Sequence, residues 1–88
     1  MVNLEEILEE VKQEYLRASK KFGVFNTAHE GYAILLEEVD ELWDNVKLNQ
    51  RIPYRLKHIR EEAIHVCAMA LRLIWDCCRD KEEVKEDG

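Results

Sequence analysis

The sequence predicts an all-α protein: three long helices per chain, assembling with other copies into an oligomeric core of four-helix-bundle type. Three observations carry that expectation. Apolar residues recur at three- and four-residue intervals in three successive segments. The segments open on helix-capping residues. Breakers are few, one proline and three glycines in 88 residues, and are expected at or beyond segment ends.

The first helix starts at Asn3, an N-cap with Glu6 three residues on to complete a capping box. Leu4, Ile7, Leu8, Val11 and Tyr15 form its apolar stripe. Lys20 and Lys21 suit the negative end of the helix dipole, and Gly23 punctuates the exit. Thr27 opens the second helix, with Glu30 at the capping-box position. Its apolar residues (Tyr32, Leu35, Leu36, Val39, Leu42, Trp43 and Val46) spread too far round the cylinder for one buried face. This helix is therefore expected to be central, touched by both neighbours and by a second subunit. Asn49 to Pro53 form the break, with Pro53 placed to serve as a first helical residue. The third helix runs from about Tyr54 to about Arg79. Leu56, Ile59, Ala63, Val66, Ala70, Leu73 and Ile74 are its expected core stripe. Residues 1–79 read as one domain, and 80–88 as a charged, frayed or disordered tail.

A chain of this size buries only about 60–65% of the surface its unfolded form exposes. Three rods in a row leave apolar surface for another subunit, so a homodimer or homotetramer is expected. A formal charge of −6 and a pI near 5 argue against nucleic acid, whose phosphates demand a basic face. No apolar stretch approaches the roughly 18 residues that span a bilayer, and no basic region followed by an apolar run marks a signal peptide. Cys67, Cys77 and Cys78 show no C-x-x-C spacing, and Cys67 is most simply a small core residue. The expected compartment is the cytoplasm, with no membrane partner.

The chemistry lies in two acidic blocks. Glu37-Glu38-Val39-Asp40-Glu41 sits on the second helix and Glu61-Glu62-Ala63-Ile64-His65 on the third. Glu38 and Glu41 are spaced i, i+3, as are Glu62 and His65, so each pair projects from one face. If the faces meet, three carboxylates and an imidazole converge, an arrangement that a divalent cation stabilises. The bland alternative is a solvated acidic face. It is weakened by the apolar character of the rest of the helix and by the lack of basic residues at i+4. Oxygen ligands favour Mg²⁺ or Mn²⁺, whereas His65 suits Mn²⁺, Fe²⁺ or Zn²⁺ better. A core-edge histidine bonded to a carboxylate is the alternative reading for His65. Lys47, Arg51, Arg55, Lys57 and Arg60 gather around the turn between the last two helices, and Arg72 lies two turns beyond His65. Lys47, Arg51 and Arg72 are candidate phosphate donors, or part of a solvated basic surface. Trp43 is a candidate base-stacking residue, or simply core.

The stretches His29 to Asp44 and Arg60 to Arg72 resemble the MazG-like all-α nucleoside triphosphate pyrophosphatases, whose mark is E-E-x-x-E followed by E-x-x-D on the next helix. The resemblance covers roughly residues 27–76. It implies a Mg²⁺-dependent helical oligomer that cleaves a nucleotide between its α- and β-phosphates, releasing a monophosphate and pyrophosphate. It places Glu38, Glu41, Glu62 and His65 as metal ligands and Glu37 or Glu38 as acceptor of the attacking water's proton. His65 departs from the family's aspartate, which removes a charge and a hard ligand. Two other readings stay open. Glu62-x-x-His65 is also the i, i+3 motif of di-iron carboxylate bundles, and a non-catalytic helical module would carry the same pattern.

Overall fold

The structure, a computed structural model, describes residues 3–79; the expected tail at 80–88 lies outside the described residues. Among the described residues there are three helices and no strand: α1 (Leu4–Phe22), α2 (Ala28–Val46) and α3 (Arg55–Cys77). None is long and apolar enough to cross a membrane.

Local chemistry sets the helix ends. Asn3 Oδ1 accepts the Glu6 N–H at 2.9 Å, and Thr27 Oγ1 accepts that of Glu30 at 3.0 Å. In each case an otherwise unpaired donor of the first turn is satisfied. The Glu30 carboxylate turns back to accept the Asn26 N–H at 2.6 Å. Gly23 ends α1 at φ 80°, a backbone angle that side chains with a Cβ rarely adopt, and donates its N–H to the Ser19 carbonyl. α3 begins differently. Pro53 lies in the preceding turn rather than at the first helical position, because the Arg55 N–H closes that turn onto the Ile52 carbonyl. Tyr54 caps α3 without a side-chain hydrogen bond, and the helix stops at Cys77.

The central helix is α3, not α2. α3 packs against both other helices, whereas α1 and α2 nowhere bring their Cα atoms within 8 Å of each other. The buried centre consists of Ala18 from α1, Phe25 from the α1–α2 connection, and Ala68 and Met69 from α3, with Tyr15, Ile34, Leu35 and Leu73 packed around it. Ala18 and Ala68 are fully buried. Their small side chains let α1 approach α3 closely. Gly31 does the same for α2. It lies inside that helix rather than at its end, and an added Cβ would stand 2.7 Å from Leu73 Cδ1 and 2.9 Å from Phe25 Cδ2.

Polar clamps complete the assembly. Arg60 reaches from α3 to both Glu10 carboxylate oxygens on α1, at 2.6 Å each. Arg55 donates to the Val46 carbonyl at the end of α2. Arg72 donates to the Gly23 carbonyl at 2.7 Å and stacks over the Phe25 ring, while Asp76 accepts the Phe25 N–H at 3.0 Å. The α1–α2 connection is thus fastened to α3, and α1 and α2 diverge on either side of it.

Several expected core positions turn outward. Leu56 and Ile74, assigned to the α3 stripe, are exposed, and so is Cys67. The face of α3 that meets both neighbours is carried instead by Ala68, Met69 and Leu73. Leu4 and Leu8 of α1 and Tyr32, Leu36, Val39 and Trp43 of α2 are exposed too.

Candidate metal centre

Because α1 and α2 straddle α3 without meeting, a cleft of about 440 Å³ opens between them. Its α1 wall carries Glu14, Arg17 and Ala18, and its α2 wall Glu30, Ile34, Glu37 and Glu38. His65, Met69 and Arg72 form the α3 floor, and Phe22, Val24, Phe25 and Asn26 close one end.

One cluster at its edge has the chemistry of a cation site. Glu38, Glu62 and His65, all half-buried, each place a ligand atom within 4.8 Å of the others. His65 Nδ1 lies 3.3 Å from Glu62 Oε2 and 3.6 Å from Glu38 Oε1. Around a six-coordinate cation with ligands at about 2.1 Å, neighbouring donors stand about 3.0 Å apart and opposite donors about 4.2 Å. The two imidazole distances, 3.3 and 3.6 Å, fall inside that span. The donor set fits a small divalent metal, and the nitrogen tilts it toward Mn²⁺ or Fe²⁺.

His65 has a third carboxylate neighbour, since its Nε2 faces Glu14 Oε2 at 3.8 Å. That places a carboxylate beyond the ring nitrogen opposite the cluster; when a metal takes Nδ1, which here contacts Glu62 at 3.3 Å, the ring proton belongs on Nε2, toward Glu14. Glu14 is itself held by Arg17, whose Nε and Nη2 donate to its two oxygens at 2.9 and 2.5 Å. This pairing keeps the Glu14 carboxyl below its ordinary range despite partial burial, with the His65 charge assisting.

Glu38 behaves in the opposite way. Burial and then the Glu41 carboxylate push its pKa up; Glu62 adds to the rise, and His65 opposes it. Proximity of like charges with too little water is the condition that a cation relieves.

No family model, curated protein or solved structure matches the chain. The assignment of roles therefore rests on the geometry of its own residues.

Of the site residues expected from sequence, Glu38, Glu62 and His65 are brought together, and Glu37 lines the adjoining cleft. Glu41 stands outside the three-residue group, exposed, and acts on Glu38 through its charge and a hydrogen bond. Arg72 reaches the cleft floor but is 2% exposed, and its guanidinium is engaged with Gly23 and Phe25. Lys47, Arg51 and Trp43 do not line the cleft. Lys47 pairs with Asp44 at 3.3 Å, Arg51 lies in the exposed turn, and Trp43 projects to the surface. The accessible cation of the cleft is Arg17.

Arg17 and Glu14 are the residues that sequence reasoning missed. Their i, i+3 spacing reads as an ordinary surface pair, and only the packing of Ala18 against α3 turns it toward His65. The available signal was position: Glu14 flanks Val11, Tyr15 and Ala18 on the one side of α1 that could face a partner helix.

Proposed function

We propose that this chain is a metal-dependent nucleotide pyrophosphohydrolase, splitting a nucleoside triphosphate into a monophosphate and pyrophosphate. The observation that carries the reading is the convergence of Glu38, Glu62 and His65 at the edge of a cleft large enough for a small organic ligand. The resemblance of the two acidic blocks to MazG-like enzymes supplies the reaction class. Glu38, Glu62 and His65 would hold Mg²⁺ or Mn²⁺, with Glu41 one turn away on the same helix. Such an ion neutralises phosphate charge and lowers the pKa of a bound water.

The chain's own residues account for the rest. Glu37, on the cleft wall beside Glu38, accepts the proton of the attacking water at its carboxylate. Arg17 offers a guanidinium to phosphate oxygens from the opposite wall, an exchange open to it because its side chain is 54% exposed. Glu14, 3.8 Å from His65 Nε2, would accept a hydrogen bond from the ring's Nε2–H once Nδ1 is taken by the metal. The apolar end of the cleft, formed by Phe22, Val24 and Phe25, suits the base or sugar.

The imidazole ligand favours one second reading, an iron-binding bundle in which Glu62 and His65 act with Glu38. Calorimetric titration with Mg²⁺ and Mn²⁺, followed by a pyrophosphate-release assay over a panel of nucleotides, separates the two. Pyrophosphate release that disappears in Glu62→Gln supports the hydrolase. Binding of Fe²⁺ with visible absorbance and no pyrophosphate release supports the iron protein, and failure to bind any divalent metal defeats both.

A further inference from the structure

We propose that the outer side of α2 pairs, antiparallel and about a two-fold axis, with the same side of α2 in a second copy of this chain. Tyr32, Leu36, Val39 and Trp43 are 60%, 42%, 39% and 57% exposed. Their spacing of four, three and four residues places them in one straight stripe along the helix. α2 therefore has three distinct sides. Gly31 and Leu35 meet α3 and the core, Glu30, Glu37 and Glu38 look toward the cleft, and this apolar stripe lies away from the cleft. α1 does not approach α2, so among the described residues nothing covers the stripe.

A second copy fits for three reasons. The first is symmetry. A two-fold contact requires a patch complementary to itself. Read from either end, this stripe runs aromatic, aliphatic, aliphatic, aromatic. With the axis between Leu36 and Val39, Leu36 meets Val39 of the partner subunit, and Tyr32 meets Trp43 of the partner subunit.

The second is area. Aromatic side chains carry about 150–250 Å² each, so the exposed parts of the four side chains offer about 400 Å². That is about half of the roughly 800 Å² per partner that a specific interface buries. Exposed Leu56 and Ile74 on α3 add further apolar surface. Among the described residues, four apolar side chains are buried within one chain, a small core for a domain of this size.

The third is charge. Glu37, Glu38, Asp40, Glu41 and Asp44 crowd the second half of α2, against Glu30 alone in the first. A parallel pair would set Asp40 beside its own copy. The antiparallel pair sets Asp40, Glu41 and Asp44 beside the first half of the partner's helix, with Glu37 and Glu38 near the axis but turned toward the cleft, and it also opposes the helix dipoles.

Sedimentation over a concentration series tests the pairing, with a dimer expected for the unaltered chain. Leu36→Glu would bury a charge in the seam and weaken association by about 100-fold or more while the helical circular dichroism is retained. If that variant fails to fold, disulfide trapping decides. With Cys67, Cys77 and Cys78 replaced by Ser, a Leu36→Cys chain is mixed with a Val39→Cys chain and oxidised. The major product should be the mixed dimer joining positions 36 and 39. A monomer at every concentration, a helical Leu36→Glu dimer of unchanged affinity, or predominance of same-position disulfides overturns the proposal. None of these readouts involves a metal, so they stand or fall apart from the hydrolase reading.

Discussion

At the scale of single residues, the cluster is a balance between a carboxylate that resists ionising and one that is held ionised. Burial and the Glu41 and Glu62 charges raise the Glu38 pKa, so the folded chain binds that proton more tightly than the unfolded chain does. The stability gained is complete below the ordinary carboxylate range and is lost as pH rises through the raised value. Glu14 and Glu10, lowered by hydrogen bonds from Arg17 and Arg60, act with the opposite sign: their contribution is present above the ordinary range and is lost as pH falls through their depressed values. Without metal, these three groups together favour mildly acidic pH. Urea denaturation from the ordinary carboxylate range upward should show stability falling as pH rises through the raised Glu38 value. Glu38→Gln should flatten that fall, and an unchanged profile would contradict the assigned burial of Glu38. Glu14→Gln reports on the imidazole instead. Removing a carboxylate from behind a ligating histidine costs about 10–100-fold in metal affinity. Calorimetry with Mn²⁺ should find that loss while Glu62→Gln loses more, and equal affinity in Glu14→Gln would mean that Glu14 does not orient the ring.

At the scale of helices, Gly31 is the clearest test of how α2 sits on α3. Alanine in a helix interior gains about 1 kcal/mol over glycine. Here its Cβ would press on Leu73 and on a Phe25 ring already stacked against Arg72. Overpacking of this kind costs about 1–3 kcal/mol, so Gly31→Ala should destabilise the fold by about 1 kcal/mol net. Thermal denaturation checks the sign, and a stabilised variant would show that α2 can shift outward freely. The same contrast explains what was legible in the sequence. Asn3, Thr27 and Gly23 act within four residues of themselves, so the ends of α1 and the start of α2 could be read directly. The i, i+3 pairs likewise placed Glu62 beside His65, and only the meeting of Glu38 with them needed the fold. Which helix is central depends on contacts across the whole chain. The apolar girth of α2 suggested a buried rod, yet part of that surface, Tyr32 to Trp43, faces outward. Leu56 and Ile74 mislead in the same way on α3, because periodicity marks an apolar face without saying whether its own chain covers it. Arg72 shows the limit for charged residues. Its two-turn offset from His65 pointed to the cleft, but the carbonyl and ring that engage it come from a connection about fifty residues earlier.

At the scale of the whole molecule, the proposed metal binding and the proposed self-association would be two separate linkages acting on one small core. A ligand that binds only the folded state stabilises it by about 2.7 kcal/mol at 100 times its dissociation constant. For a domain of this size, that corresponds to a rise in Tm of about 10–20 °C. On the proposed reading the metal would act by relieving repulsion between α2 and α3, so its effect should vanish in Glu62→Gln at every protein concentration. The proposed association would act through the side of α2 away from the cleft, so Tm should rise with protein concentration in both the unaltered chain and Glu62→Gln, and should stop rising in Leu36→Glu. A grid of melts over Mn²⁺ and protein concentration therefore resolves the two contributions. They should add, since the cleft and the Tyr32–Trp43 stripe share no side chain and the seam leaves the cluster's ligands untouched. A metal shift that appears only where the chain is dimeric would break this additivity. It would mean that the second copy completes the site and that Glu38, Glu62 and His65 of one chain are not sufficient to hold the ion.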